Sequence, residues 1–358
     1  MRVLVGLTGG LADAVLALPA LVALRRAHPD WELHCLVTAG LEPLLEYDDA
    51  VDAYLTRRGG EDDHLVDVLA RERYDASLLL HHDETVARLF VRAGIGRRHG
   101  RWWSPGSWRA LNRGRWFRDH AGAHACERYL RTASSLAGPP ARTPDLPAPM
   151  AHPGEAAVAA GLAFRDDEAP DARVLAFVHP GRGGGLTAWP ARHYAAVANR
   201  LAARPGWRVF ITGSHADRPT IDALAPHLDP AVGVAAERFP LREFMGVLAA
   251  GDVLVAPDGG ALHLAAALGV ATVGLHAPSP LDAPAARGAR GRWNVALTPP
   301  VDCPAKRACL ERHCLLHDCL LGILPGDVAA RAADLAERRR ADRSGAGDPA
   351  TTRREDRS

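Results

Sequence analysis

The chain has 358 residues, 47% of them hydrophobic, and a formal net charge of +1. That length supports about two domains with sizeable cores, and near neutrality excludes the global positive field of a nucleic-acid-coating protein. Six cysteines, none in C-x-x-C spacing, are too few for a disulfide scaffold, so a reducing, cytoplasmic setting is expected.

Residues 2–7 form a short apolar run that suits a buried parallel strand, with Thr8-Gly9-Gly10 as its turn. Val15, Leu18, Leu21, Val22 and Leu24 then recur near helical spacing, and Arg25-Arg26 stand at the end where cations complement the dipole. Asp13, the Gly9-Gly10 pair and Pro19 interrupt what would otherwise resemble a membrane span or signal peptide. A second strand at 31–37 completes a βαβ unit and predicts a parallel sheet. Asp13 falls on the first helical turn, facing the crevice beyond the strand ends where open α/β sheets bind ligands. A carboxylate stabilising the helix dipole explains the same residue.

Strand and helix signals continue through 62–70 and 76–80. Residues 97–118 break the pattern, with seven arginines, four of the eight tryptophans and no acidic residue. Guanidinium groups grip phosphate or carboxylate, and indoles favour wet interfaces and sugar faces. Arg97, Arg98, Arg101, Trp102 and Trp103 are therefore candidates for an anionic glycolipid or polysaccharide acceptor, or a membrane surface. A solvated loop with tucked-in indoles is the plainer reading. A helix at 124–137 follows. Prolines at 139, 140, 144, 147, 149 and 153 mark a stiff connector and the domain boundary.

The second half repeats the alternation. A strand at 174–178 ends in His179-Pro180-Gly181-Arg182-Gly183-Gly184-Gly185, a turn whose amides can cluster round an anion beside a permanent charge. A helix at 189–201 and a strand at 207–212 lead to Asp217, a candidate for a ribose hydroxyl. A helix at 240–250 precedes the most informative stretch. There an apolar strand ends at Pro257, Asp258-Gly259-Gly260 frees the backbone of side chains, and an Ala/Leu helix carrying His263 runs to Gly269. Such a helix start is a ready phosphate site. An ordinary βα turn with a packed histidine has the same residues.

Taken together, Thr8-Gly9-Gly10-Leu11-Ala12-Asp13 leading to Pro19-Ala20-Leu21, His179-Pro180-Gly181 with Trp189-Pro190, and Asp258-Gly259-Gly260-Ala261-Leu262-His263-Leu264-Ala265 resemble the heptosyltransferases of glycosyltransferase family 9. Residues 120–136 and 302–323 are similar as well, so the resemblance covers about residues 1–330. It implies an α/β protein of the GT-B type, two Rossmann-like domains with a cleft between them. Residues 1–150 would bind the acceptor and 170–325 the nucleotide sugar, while a helix at 326–340 packs across the junction. The charged tail at 341–358 is expected to be disordered. The resemblance implies an inverting transferase that moves a heptose or related sugar from an ADP-sugar, with Asp13 as general base. Donor contacts would come from Gly9, Gly10, His179, Gly181, Arg182, Gly183, Thr187, Asp217, Asp258, Gly259, Gly260 and His263. Lipopolysaccharide biosynthesis is the usual setting, with peripheral contact at the inner face of the cytoplasmic membrane.

Members of this type need no metal or other cofactor, and no Asp-x-Asp pair stands at a strand end. Cys303, Cys309, Cys314 and Cys319, with His313 and His317, lack paired-ligand spacing and are read as packing. The chain departs from the family pattern at Thr187, where a lysine is usual, at Ala12 and at Gly259. A GT-B enzyme using another nucleotide sugar, or a noncatalytic nucleotide-sugar binder, fits the same glycines.

Overall fold

The structure, a computed structural model, describes residues 1–115, 124–138, 149–181, 189–277, 289, 291–299 and 319–344. Two six-stranded, wholly parallel sheets organise it. The first contains β1 (Arg2–Leu7), β2 (Glu32–Thr38), β3 (Ala53–Arg57), β4 (Ala76–Leu79), β5 (Arg97–Arg101) and β6 (Arg113–Arg115), in the order β3-β2-β1-β4-β5-β6. The second contains β7 (Val174–Val178), β8 (Trp207–Ile211), β9 (Val232–Val234), β10 (Val253–Pro257), β11 (Ala271–Leu275) and β12 (Asn294–Leu297), in the order β12-β11-β10-β7-β8-β9. The two orders are the same pattern, and in each the chain reverses direction of growth beside its first strand. The switch points lie between β1 and β4 and between β7 and β10, and it is beyond the carboxyl ends of such strands that α/β sheets hold ligands.

The central strands are continuous apolar runs because both faces are covered: Val3, Leu4 and Val5, like Val253, Leu254 and Val255, are fully buried. Helix α1 (Leu11–Ala27) is nearly as apolar and buries Val15, Leu18, Leu21 and Leu24 against the first sheet, despite Pro19 inside it. Arg25 closes it by donating to the carbonyls of Pro29 and Trp31 at 3.0 and 2.6 Å. Residues 62–70 extend to α2 (Asp62–Glu72), and α3 (Glu84–Arg92) follows β4. The Arg/Trp region holds β5, a short helix α4 (Pro105–Ala110) and β6 where no regular element was expected. Arg98 makes this possible by donating to the carbonyls of Ala110 and Ile95 at 2.6 and 2.5 Å, so a half-buried guanidinium satisfies backbone that would otherwise be unpaired. Next comes α5 (Ala125–Ala137), capped by the His124 imidazole.

In the second lobe, α6 (Glu155–Glu168) leaves the connector, and α7 (Ala191–Ala202), α8 (Arg218–Leu224), α9 (Leu241–Ala250) and α10 (Gly260–Ala267) cover the sheet. Gly269 takes φ +74°, the left-handed position that ends α10, with Val270 N donating to Ala265 O at 2.9 Å. Helices α6 and α9 cross so closely that a Cβ on Gly161 would lie 2.0 Å from Gly246 O, and one on Gly246 1.7 Å from Ala157 O. The last helix, α11 (Pro325–Arg343), corrects two expectations. It absorbs residues 341–343, and its main contacts are with α7, β10 and β11 of the second sheet, not across the junction. Arg339 is the reason it seats there: nearly fully buried, it donates to Gly251 O and Asp252 O at 3.2 and 3.3 Å. Burial lowers its guanidinium to about 10. Residues 345–358 lie outside the described residues, as do Cys303, Cys309, His313, Cys314 and His317.

The lobes meet through α1 and α10. Gly260 allows this, since a Cβ there would be 2.8 Å from Leu11 Cβ. Arg242 of α9 also forms an ion pair with Glu46 of the first lobe, and Ala151 N donates to Ala267 O at 3.1 Å. Among the described residues no helix is long and apolar enough to cross a membrane.

Candidate active site

Asp13 and its partners come from β1, β4 and α5. The turn after β1 puts Asp13 at the third position of α1, where its Oδ2 accepts a hydrogen bond from Gly10 N at 3.3 Å. Its Oδ1 accepts one from the Tyr129 hydroxyl at 2.7 Å, a contact spanning 116 residues. Beneath them lies His81, from the carboxyl end of β4, with its ring centroid 5.0 Å from that of Tyr129. Gly9 is dictated by this crowding: a Cβ would sit 2.6 Å from Asp13 Cβ and 2.7 Å from His81 Cδ2. Burial pushes the His81 imidazole down and the Tyr129 phenol up, while the Asp13 carboxylate works against the first shift and with the second.

The second lobe supplies the facing wall. Gly181, at the end of β7, adopts φ +69°, and a Cβ there would meet Pro257 Cγ at 2.8 Å, so the turn after β7 and the end of β10 interlock. Helix α10 starts at Gly260 with Gly259 as its extended N-cap, leaving its first amides open to an anion. Asp258 stands beside two buried imidazoles, with Oδ1 3.3 Å from His263 Nε2 and Oδ2 4.0 Å from His276 Nδ1. Next to this turn is a cavity of about 390 Å³ that both lobes line, Leu11 from the first and His179, Asp217, Glu237, Phe244 and Gly260 from the second. Its polar and apolar walls match what a nucleoside needs.

Within the cavity, Asp217 Oδ2 accepts from both N and Oγ of Ser214 at 2.7 Å and lies 3.6 Å from His179 Nε2. Burial pushes His179 down, with Asp217 pulling the other way. Glu237 stands at φ +57°, a conformation side-chain-bearing residues seldom take, and is held there by His215 and Arg218 at 3.1 and 3.3 Å. His81, Tyr129, His276 and Glu237 escaped the sequence reading. The signal for two of them was available, because His276 directly follows β11 and His81 lies two residues beyond the end of β4, both at carboxyl ends of strands.

The structure therefore brings Gly9, Gly10, Asp13, Gly259 and Gly260 to one junction, with His179, Gly181, Asp217, Asp258 and His263 around it. Arg182, Gly183 and Thr187 lie outside the described residues. The acceptor candidates separate. Arg97 is at the far end of β5, bonded to Asp75 O at 3.3 Å and beside Met1, and Arg98 is spent on backbone carbonyls. Trp102 is likewise structural, donating to Leu111 O at 2.7 Å and lying where a Cβ on Gly114 would be. Arg101 and Trp103 are at the carboxyl end, and Trp103 stacks on His82 with centroids 4.7 Å apart. Among the described residues no group of three or more His, Cys, Asp or Glu side chains could hold a metal ion.

His81 and His179 give a pH dependence. Their folded pKa values are depressed, so the unfolded chain takes up protons first: the stability they contribute is whole above about pH 6.5 and is lost as pH falls towards their folded values. Urea unfolding at pH 7.5 and 5.5 will show the loss, at up to about 1.4 kcal/mol per pH unit for each imidazole. Replacing His81 with Asn will shrink the difference.

Residues 64–299 match the sequence profile of Glycosyltransferase family 9 (heptosyltransferase). Lipopolysaccharide heptosyltransferase 1 of Pseudomonas aeruginosa is 29% identical over 332 residues, covering 88% of this chain and 87% of that protein. Lipopolysaccharide heptosyltransferase 2 of Escherichia coli K12 is 26% identical over 299 residues, 79% of this chain and 84% of the other. Among solved structures, E. coli ADP-heptose LPS heptosyltransferase II has a TM-score of 0.77 at 23% identity, covering 95% of this chain and 100% of its own. E. coli heptosyltransferase WaaC with ADP has 0.70 at 21% identity, with 94% and 100% covered. At these identities the structural likeness concerns the fold alone.

Proposed function

Because the chain belongs to glycosyltransferase family 9, the heptosyltransferases, with the GT-B fold, we propose that it transfers a heptose or closely related sugar from an ADP-sugar to a glycolipid or polysaccharide hydroxyl, with inversion and without a metal. The observation that carries this reading is the junction of α1 and α10. There Leu11, two residues before Asp13, rests on Gly260, so the helix start that carries the carboxylate adjoins the helix start that carries the open amides, beside a cavity of nucleoside size lined by Leu11 and Gly260.

In this mechanism Asp13 takes the proton from the acceptor hydroxyl as its oxygen attacks the anomeric carbon, and the bond to the diphosphate breaks on the opposite face. Positioned base catalysis contributes about 10²–10⁴-fold. The departing diphosphate gathers negative charge, which the amides at Gly259 and Gly260, the α10 dipole and His263 would meet. Arg182 takes the place of the lysine that Thr187 lacks. His179 and Asp217 line the nucleoside end. Arg101 and Trp103, at the open ends of the first sheet, receive the acceptor. Relatives named for lipopolysaccharide point to that class of acceptor, and to work at the inner face of the cytoplasmic membrane.

A thermal-shift panel of ADP-, UDP- and GDP-sugars, followed by transfer assays with EDTA present, tests the reading. ADP-heptose at a hundredfold excess over its Kd will stabilise the fold by about 2.7 kcal/mol, and Arg182→Ala will weaken that binding. Stabilisation by UDP- or GDP-sugars alone would assign another donor. Binding of ADP-heptose with no transfer to any acceptor would make the protein a noncatalytic binder.

A further inference from the structure

We infer that Tyr129 is a positioning residue for the transfer reaction, its hydroxyl holding Oδ1 of Asp13 so that Oδ2 is the oxygen presented to the acceptor. This rests on the reading of Asp13 as the base. The two carboxylate oxygens are not equivalent. Oδ1 receives a short, 2.7 Å bond from a half-buried phenol, whereas Oδ2 receives only the long 3.3 Å contact from Gly10 N at the exposed start of α1. An aspartate at this position has free rotation about its terminal torsion unless something fixes it. The phenol does so from α5, and α5 is itself packed along α1, with Leu16 in contact with Ala125, Cys126 and Tyr129.

The phenol is in turn fixed by its surroundings. The His81 ring lies tilted against it at 5.0 Å, and the missing Cβ of Gly9 leaves room for Asp13 and His81 together. The ionisable groups that face the carboxylate are Tyr129 from α5 and His81 from the end of β4, with Asp83 beyond His81 and Arg128 beside Tyr129 on α5. Tyr129 acts as a hydrogen-bond donor throughout, because burial and the adjacent carboxylate both oppose its ionisation. It exchanges no proton with substrate. A phenol donates a stronger hydrogen bond to a carboxylate than to a carboxylic acid, and the bond from Tyr129 keeps one lone pair of Oδ2 aimed outward.

The test compares kcat/KM against pH for the wild type, Tyr129→Phe and a protein with 3-fluorotyrosine at position 129, using ADP-heptose and a heptose acceptor. Tyr129→Phe keeps the ring and removes one charge-assisted hydrogen bond. It should lower kcat about tenfold, leave donor Kd unchanged and move the acidic limb up by about one pH unit. The fluorinated residue is a stronger donor of nearly the same size and should move that limb down. A Phe variant with an unmoved limb would overturn the inference, as would limbs moving in the same direction in both proteins. If Phe at 129 unfolds the protein, the fluorinated one still decides. Asp13→Asn in parallel separates the two ideas: if it is inactive while the limbs do not move, only the role of Tyr129 fails, and if it is fully active the base assignment fails first.

Discussion

Asp13→Asn is expected to reduce kcat by about 10²–10⁴ while ADP-sugar affinity stays within a few-fold of the wild type. The amide is isosteric, and its oxygen can still accept the Tyr129 hydroxyl; its nitrogen then replaces Oδ2 and gives up only the long 3.3 Å bond from Gly10 N, while the lobe contact at Leu11 is untouched. What is lost is the basic lone pair of Oδ2. A kcat effect without a binding effect is the signature of an interaction that matters only as the bond forms. Single-turnover assays together with calorimetry of ADP-sugar binding will measure both halves. Turnover near wild type would remove Asp13 from the chemistry, and equal losses of binding and turnover would make it a donor contact.

The second large effect is expected far from the chemistry. Gly246→Ala should destabilise the second lobe by about 3 kcal/mol, at the upper end for overpacking. The opposing term is known in sign, since Ala is favoured over Gly inside a helix by about 1 kcal/mol. Sterics win here because the new methyl would meet the carbonyl of Ala157 at 1.7 Å, and a backbone group cannot turn aside as a side chain can. Gly326→Ala is the control, as a Cβ there meets nothing within 4 Å. It should leave urea stability unchanged or raise it by up to about 1 kcal/mol. If both substitutions prove neutral, α6 and α9 do not cross as closely as described. Activity should also suffer in Gly246→Ala, because Phe244 on α9 lines the cavity.

Much of the frame was legible because it is written locally. The apolar runs of β1, β7 and β10, the glycines Gly9, Gly181 and Gly259 just beyond them and Gly269 at the end of α10 each encode their own conformation, and all stand where expected. Strands β5 and β6 were not legible, since their arginines break the apolar pattern and Arg98 finds its partners only after folding. Helix α6 was missed for a different reason. Its sequence of alanines, acidic residues and a glycine has little apolar stripe, and what holds it is the close crossing with α9 together with Phe164, buried against Phe177, Phe210 and Phe239. The site divides in the same way. Asp13, Asp258 and His263 belong to turns readable one at a time. The pairing of Asp13 with Tyr129 and His81 depends on β4 lying next to β1, a consequence of sheet order that no short window contains.

The bare backbone at Gly260 has a mechanical corollary. Leu11 rests where a side chain would otherwise stand, so sliding α1 along α10 drives it into the flanking residues of that helix, whereas tilting the lobes apart lifts it free. Ala151, just before α6, is tied to the end of α10 by its amide on Ala267 O, a bond that a tilt of the lobes need not break. Substrate entry and product exit should therefore proceed by rotation about a hinge rather than by shear. Each such swing would wet the open amides of α10 at the same moment that it draws the start of α1 away from them.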